Sequence, residues 1–184
     1  MEEIVLRDMI ESDIEDYVKW FSTKMEWQKF DAPWEPISLD EAAERESWTS
    51  YFDAVKQLPK DKTRFKFEIE WCGKHIGWVS SYTDTSFVPI TDESTIAVGI
   101  DIADDSSWGH GVGTIALKKF VDYLMTNGYR NVYIETWSGN APMIKVALKL
   151  GFEEIFRQRN AREVDGKQYD SLTFALTNTA LTTK

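Results

Sequence analysis

The chain is 184 residues long, the span of one domain, and its 42% hydrophobic and 14% aromatic content supplies a core that a disordered chain lacks. Thirty-one acidic against twenty-one basic side chains leave a formal charge of −10; that field disfavours nucleic acid and acidic membrane faces and attracts cations, although acidity for solubility alone gives the same balance. A single cysteine, Cys72, excludes an internal disulfide, the Met1-Glu2-Glu3 start lacks the basic-then-apolar layout of a secretory signal, and no apolar run nears the ~20 residues of a membrane helix, so a soluble cytoplasmic protein is expected.

Ile4, Leu6 and Met9 predict a first strand, and Ser12 with Glu15 predicts a capping box opening a helix through Tyr17, Val18 and Phe21. The stretch from Met25 to Ile37 holds Trp27, Phe30, Pro33, Trp34 and Pro36 and is too broken by proline for a long element. A second capping box, Ser38 with Glu41, predicts a helix ending near Leu58-Pro59. From Arg64 the pattern alternates: Phe65, Phe67, Ile69 and Trp71 share a face, Cys72-Gly73-Lys74 turns, and Ile76, Trp78 and Ser80 share a face of the second hairpin arm. His75, at that turn, reads as incidental. Phe87 to Glu93 is a loop, and Thr95 to Ala103 is a strand with Ile96, Val98, Ile100 and Ile102 on one face and Ala97, Gly99, Asp101 and Ala103 on the other. Leu117, Phe120, Val121, Leu124 and Met125 recur at helical spacing up to Gly128. Val132, Ile134 and Thr136 alternate in a further strand. Asn140 caps a helix with Pro142 in its first turn and Gly151 as its stop, and Phe152 to Arg159 and Lys167 to Leu176 are strands joined across Asp165-Gly166.

The strand–helix–strand crossover between residues 95 and 136 forces one parallel pair, whereas its neighbours meander. The expected fold is α/β (α+β): a single domain over residues 1–178 with a frayed tail at 179–184. Its sheet is mixed and mostly antiparallel, with about seven strands flanked by about four helices.

The segment Trp108-Gly109-His110-Gly111-Val112-Gly113-Thr114 lies between a strand and a helix. Alternating glycines let successive backbone N–H groups close around an anion, and the following helix adds its positive end. A tight turn needing glycine only for its backbone angles is the blander reading. No lysine precedes Thr114, which excludes a P-loop. Gly111-Val112-Gly113-Thr114-Ile115-Ala116 fits a dinucleotide fingerprint literally, but Asp104-Asp105-Ser106-Ser107 separates it from its strand and the chain closes in a hairpin, against a nicotinamide-binding fold.

Gly99-Ile100-Asp101, this glycine turn, Thr136-Trp137-Ser138-Gly139-Asn140 and Lys149-Leu150-Gly151-Phe152 together resemble the GNAT superfamily of N-acetyltransferases over nearly the whole chain. The likeness is closest to the Rim-type branch that acetylates ribosomal-protein N-termini and to relatives acting on polyamines and other small amines. The resemblance implies acetyl-CoA in a cleft where two parallel strands splay, its pyrophosphate held by the backbone from Trp108 to Thr114. It also implies that Ile100 and Ile102 run beside the pantetheine arm and that Asn140 orients that arm or the strand end; capping alone also explains Asn140. Trp108 replaces the family's usual Gln or Arg. His110 stands where Lys or Arg is frequent, as a phosphate donor or as a solvated loop histidine.

An amine acceptor is mostly ammonium near neutral pH, so a proton must be taken before it attacks a thioester. Asp101, alone among small residues on its strand face, is the expected proton acceptor or ammonium anchor; a strand-end aspartate that caps or pairs is the alternative, and Glu93 and Glu135 are weaker candidates. Where relatives place a tyrosine to protonate the thiolate, this chain has Ala147, which leaves Ser138 or water. Cys72 has no adjacent base, so direct transfer is expected, and two distant histidines with one cysteine make no metal-ligand spacing. Trp27, Phe30 and Trp34, with Trp48 as a further candidate, stand beside Glu26, Asp31 and Glu35 and either hold a cationic acceptor or fill the core. The expected partners are therefore acetyl-CoA and an amine, with no nucleic acid and no membrane, and a homodimer is compatible with the sequence. The rivals are a non-catalytic CoA-binding sensor and the nicotinamide-binding domain.

Overall fold

The computed structural model describes residues 3–36, 40–83 and 93–176. In chain order its elements are β1 (Ile4–Arg7), α1 (Asp13–Ser22), a 3-10 turn (Glu26–Lys29), α2 (Glu41–Lys56), β2 (Lys66–Trp71), β3 (Lys74–Tyr82), β4 (Thr95–Ile102), a second 3-10 turn (Asp105–Ser107), α3 (Val112–Thr126), β5 (Asn131–Trp137), α4 (Ala141–Lys149), β6 (Phe152–Val164) and β7 (Lys167–Leu176). The sheet runs β1-β2-β3-β4-β5-β7-β6, antiparallel throughout except for the β4–β5 pair. The expected mixed sheet with one parallel pair is thus observed. The loop expected at Phe87–Glu93, apart from Glu93 itself, and the frayed tail after Asn178 lie outside the described residues. No helix among the described residues is long and apolar enough to cross a membrane.

Local chemistry sets the element ends, and not always as expected. The Ser12–Glu15 box does not form: Ser12 makes no capping bond, and Asp13 orders the entry to α1 by accepting from the Ile10 amide at 2.8 Å and from Arg7 at 2.6 Å. Glu15 is drawn instead to Arg45 of α2. Ser38 lies outside the described residues, and α2 is capped by Asp40, whose Oδ1 accepts from the Ala42 and Ala43 amides at 3.1 Å. The turn between β6 and β7 has positive φ at both Asp165 (49°) and Gly166 (73°), the requirement of a tight two-residue hairpin, and β6 runs on to Val164 rather than stopping at Arg159.

The expected shared face of Ile76, Trp78 and Ser80 is broken by a bulge. Ile69 pairs with Gly77 but Glu70 with His75, so Ile76 is an extra residue that resets the two-residue alternation. Ile76 and Val79 therefore face α3, while His75 and Trp78 face α1. Phe65 lies outside β2, 46% exposed, against Tyr129. On the α3 and α4 face the isoleucine row of β4, Phe120, Leu124, Ile134 and Phe174 make one apolar cluster, each fully buried side chain contributing about 1.5–3 kcal/mol by leaving water. The α1 and α2 face packs Tyr17, Trp20, Trp27, Trp78 and Ala103, with charges embedded among them.

His75 is not incidental: it is buried, with Nδ1 3.1 Å from Asp16, Nε2 3.0 Å from Glu68, and Tyr17 donating to the same Glu68 oxygen at 2.6 Å. Asp13, Asp16 and His75 place ligand-type atoms within 4.8 Å of one another. Arg7 already forks onto Asp13, and burial's downward pull on His75 is outweighed by its bonds to Asp16 and Glu68, which push its pKa up to about 9, so positive charge within the chain balances this group.

Candidate active site

β4 and β5 pair only at Thr95–Asn131, Ile96–Val132 and Ala97–Tyr133. Beyond that point β4 follows β3 as far as Gly77–Ile102, and β5 follows β7 as far as Trp137–Ser171. The strands splay because each finds its antiparallel partner on the far side, and a cavity of about 750 Å³ fills the fork. The Ile102 carbonyl accepts from Trp108 Nε1 at 2.8 Å, so it faces away from β3; by the two-residue alternation Ile100 presents its backbone to the same side.

The glycine turn closes one end of this cavity. Gly111 caps α3 in the left-handed region at φ 79°, Gly109 adopts φ 80°, and a Cβ on either would meet nothing within 4 Å: both line open space. The amides of Val112, Gly113 and Thr114 belong to the first helical turn, which offers them no intrahelical acceptor, and that turn carries no acidic residue. These donors and the helix dipole converge where a phosphate would sit. Gly113 docks the helix start on β4, a Cβ there lying 3.7 Å from Ile102 and 3.8 Å from Ile100.

The side chains around the turn divide. Trp108 lines the cavity, tied to Ile102 and edge-on to Phe30 at 5.4 Å, and so braces the turn. His110 does not line it; its ring lies 5.2 Å from Trp71. Asn140 lines the cavity while its Oδ1 accepts from the Met143 amide at 3.0 Å, which caps α4. Ser138 is not brought to the cavity: its Oγ accepts from the Asp170 amide at 2.9 Å and joins β5 to β7. Ala147 is fully buried in the apolar cluster and offers no proton donor.

Asp101 reaches the cavity from the small-residue face of β4, as expected, and Glu135 reaches it from β5; Glu93, exposed at the start of β4, does not. Asp31 and Tyr82 complete an acidic end that periodicity left unassembled, since only the fork brings a loop, β3, β4 and β5 together. Burial first, then the charge of Asp31, raises Asp101 well above the usual carboxylate range, against the opposite pull of Lys66 and of a hydrogen bond from Trp78. Burial and the charges of Glu135 and Asp31 likewise raise Tyr82, which stays a neutral phenol.

The aromatic stretch splits as well. Trp27 is core, 6% exposed, with Nε1 donating to Trp20 O at 3.1 Å, although its edge touches the cavity. Phe30 and Trp34 form cavity wall; Phe30 O accepts from Trp137 Nε1 at 2.7 Å, and Trp34 lies edge-on to Trp137 beneath the Arg162 guanidinium. Trp48 stacks on Tyr17 at 3.7 Å, away from the cavity lining.

A family model described as an acetyltransferase (GNAT) domain matches residues 3–153. The ribosomal-protein-S5-alanine acetyltransferase from Vibrio fischeri superposes with a TM-score of 0.74 at 22% identity, covering 98% of this chain and 96% of that one. RimJ from Mycobacterium smegmatis, solved in complex with CoA-disulfide, gives 0.71 at 22% identity over 98% of this chain and 85% of its own. The yncA protein from Salmonella typhimurium, solved with its cofactor acetyl-CoA, gives 0.70 at 17% identity over 95% and 93%. These likenesses are of fold. No curated protein matches the chain.

Proposed function

Because the chain belongs to the acetyltransferase (GNAT) family, we propose that it transfers an acetyl group from acetyl-CoA directly to the primary amine of a small molecule or of a protein N-terminus. The observation that carries this reading is the joining of an anion-holding turn and a carboxylate cluster by one cavity in the β4–β5 fork. The residues fit the coenzyme: Gly109 and Gly111 leave open space that a Cβ would fill, and the amides of residues 112–114 would hold the pyrophosphate. The Ile100 and Ile102 backbone would flank the pantetheine arm. Bound acetyl-CoA supplies the activated acyl group.

This chain's residues supply the proton handling. Asp31, Glu135 and Asp101 attract an ammonium into the cavity, and Phe30 and Trp34 wall its path. Asp101, its affinity for protons raised, takes the amine's proton directly or through water and leaves the neutral nucleophile. Return of a proton to the departing thiolate falls to water or to the Tyr82 phenol rather than to Ser138.

The test is release of free thiol from acetyl-CoA with spermidine, an aminoglycoside or a ribosomal-protein N-terminal peptide. Saturable binding without thiol release for any amine would instead support a CoA sensor, and protection by NADH but not CoA would support the nicotinamide reading. Gly111→Val should weaken acetyl-CoA binding by about tenfold or more, because a branched residue is strained at this φ and its side chain enters the phosphate's space; unchanged affinity overturns the anion-turn assignment. Asp101→Asn should keep that affinity but lower kcat by about a hundredfold or more above the parent's acidic limb, where Asp101 is ionised, with the deficit narrowing at lower pH as the parent's own carboxylate is protonated. A parent-like pH–rate profile removes Asp101 from the mechanism.

A further inference from the structure

The Lys66 ammonium lies in a box of rings on the acceptor face: its Nζ is 4.4 Å from the centroid of Trp48, 4.5 Å from Tyr17, 4.8 Å from Tyr51 and 5.3 Å from Trp78. Four rings from α1, α2 and β3 thus surround a single cation at cation–π distance. Lys66 does not line the cavity. Trp78 links the two regions: it is paired in register with Glu68 on one side and Asp101 on the other, one flank of its indole faces Lys66, and it donates a hydrogen bond to the Asp101 carboxylate.

We propose that Lys66 is a positioning residue for the transfer reaction, its caged charge holding the Asp101 carboxylate ionised while Trp78 holds it in place. This rests on the reading of Asp101 as proton acceptor. The charged and titratable groups around the pair come from every packed element. Lys66 meets Glu68 of its own strand, Tyr17 of α1 and Tyr51 of α2; Asp101 meets Asp31 from the loop after the first 3-10 turn and Tyr82 of β3, beyond which stands Glu135 of β5. Burial and the charge of Asp31 push Asp101 toward protonation, and Lys66 is the cation that opposes them. Burial lowers the Lys66 pKa from its ordinary value, and the charges of Glu68 and Asp101 offset only part of that pull.

The experiment compares the parent with Lys66→Met, whose thioether suits a ring-lined site, and with Lys66→Arg, which keeps the charge. Carbon-13 carboxyl titration of Asp101 is read alongside the pH profile of kcat/KM. In Lys66→Met the Asp101 titration and the acidic limb should both move up by about one pH unit, the scale of losing one partly screened unit charge. One unit below the parent's limb, kcat/KM then falls about tenfold, and Lys66→Arg restores the parent position. An Asp101 titration that stays in place in Lys66→Met, with activity lowered equally at every pH, overturns the proposal and leaves Lys66 a packing residue. A moved titration with an unmoved rate profile upholds the Lys66 effect and instead removes Asp101 as proton acceptor. Should Lys66→Met not fold, Lys66→Gln gives the same two readings.

Discussion

The two faces of the sheet solve different problems with the same strands. Against α3 and α4 the contacts are apolar: the isoleucine row of β4 meets Phe120, Leu124 and Ile134 with no buried charge among them. Against α1 and α2 the rings are interleaved with Asp13, Glu68 and His75, all buried, and with the caged Lys66. The dry face places the start of α3, and hence the glycine turn, by packing alone. The wet face surrounds Asp101 with fixed charge. The proposed site, with an anion at the glycine turn and proton transfer at Asp101, draws on both kinds of surroundings, and the β4–β5 fork is where the two meet.

That contrast is broken most severely by Phe120→Ala. Removing a fully buried ring from the dry face should cost about 3–5 kcal/mol, read as a lower midpoint in denaturant with an unchanged slope. A loss under about 1 kcal/mol would mean that this face is not close-packed.

The wet face should show itself through pH. The folded pKa of His75, raised from 6.5 to about 9, gives stability that is fully present below pH 6.5 and lost as pH climbs through about 9. The full difference is about 3 kcal/mol, so unfolding midpoints measured from pH 6 to pH 9.5 should fall in the parent and stay flatter in His75→Gln. Equal slopes in the two proteins would show that His75 is neutral in the fold and that the carboxylates of this face are balanced without it. At the small end, the Glu15–Arg45 pair tethers α1 to α2 on the surface. Arg45→Ala should leave the unfolding midpoint within experimental error, sharpening the difference between an ion pair in water and one under the rings.

Much of the fold is legible in the sequence because periodicity reports which side of an element is wet. The β4 isoleucines, the apolar stripe of α3 and the Asp165-Gly166 turn all behave as their spacing requires, and the glycine turn with Asn140 points to the family that the match over residues 3–153 shows. Helix entry at Ser12 is not legible, because a capping motif states only what a side chain is able to bond, and Arg7 competes for the same corner. The place of His75 is missed too, because a one-residue bulge at Ile76 puts His75 on the face of Trp78, and the only local hint of it is the isolated Gly77 beside it, which does not say which residue is the extra one.

By itself the sequence determined the order of elements, the crossover that forces β4 and β5 parallel, and a turn open enough to take an anion, since each depends on neighbours within a few residues. Only the tertiary structure decided that Ser138 faces a backbone amide, that His110 lies against Trp71, and that Asp31, Tyr82 and Glu135 join Asp101 around one cavity. Those outcomes depend on where two diverging strands find their partners, and pairing across a sheet is a long-range choice that no local pattern encodes.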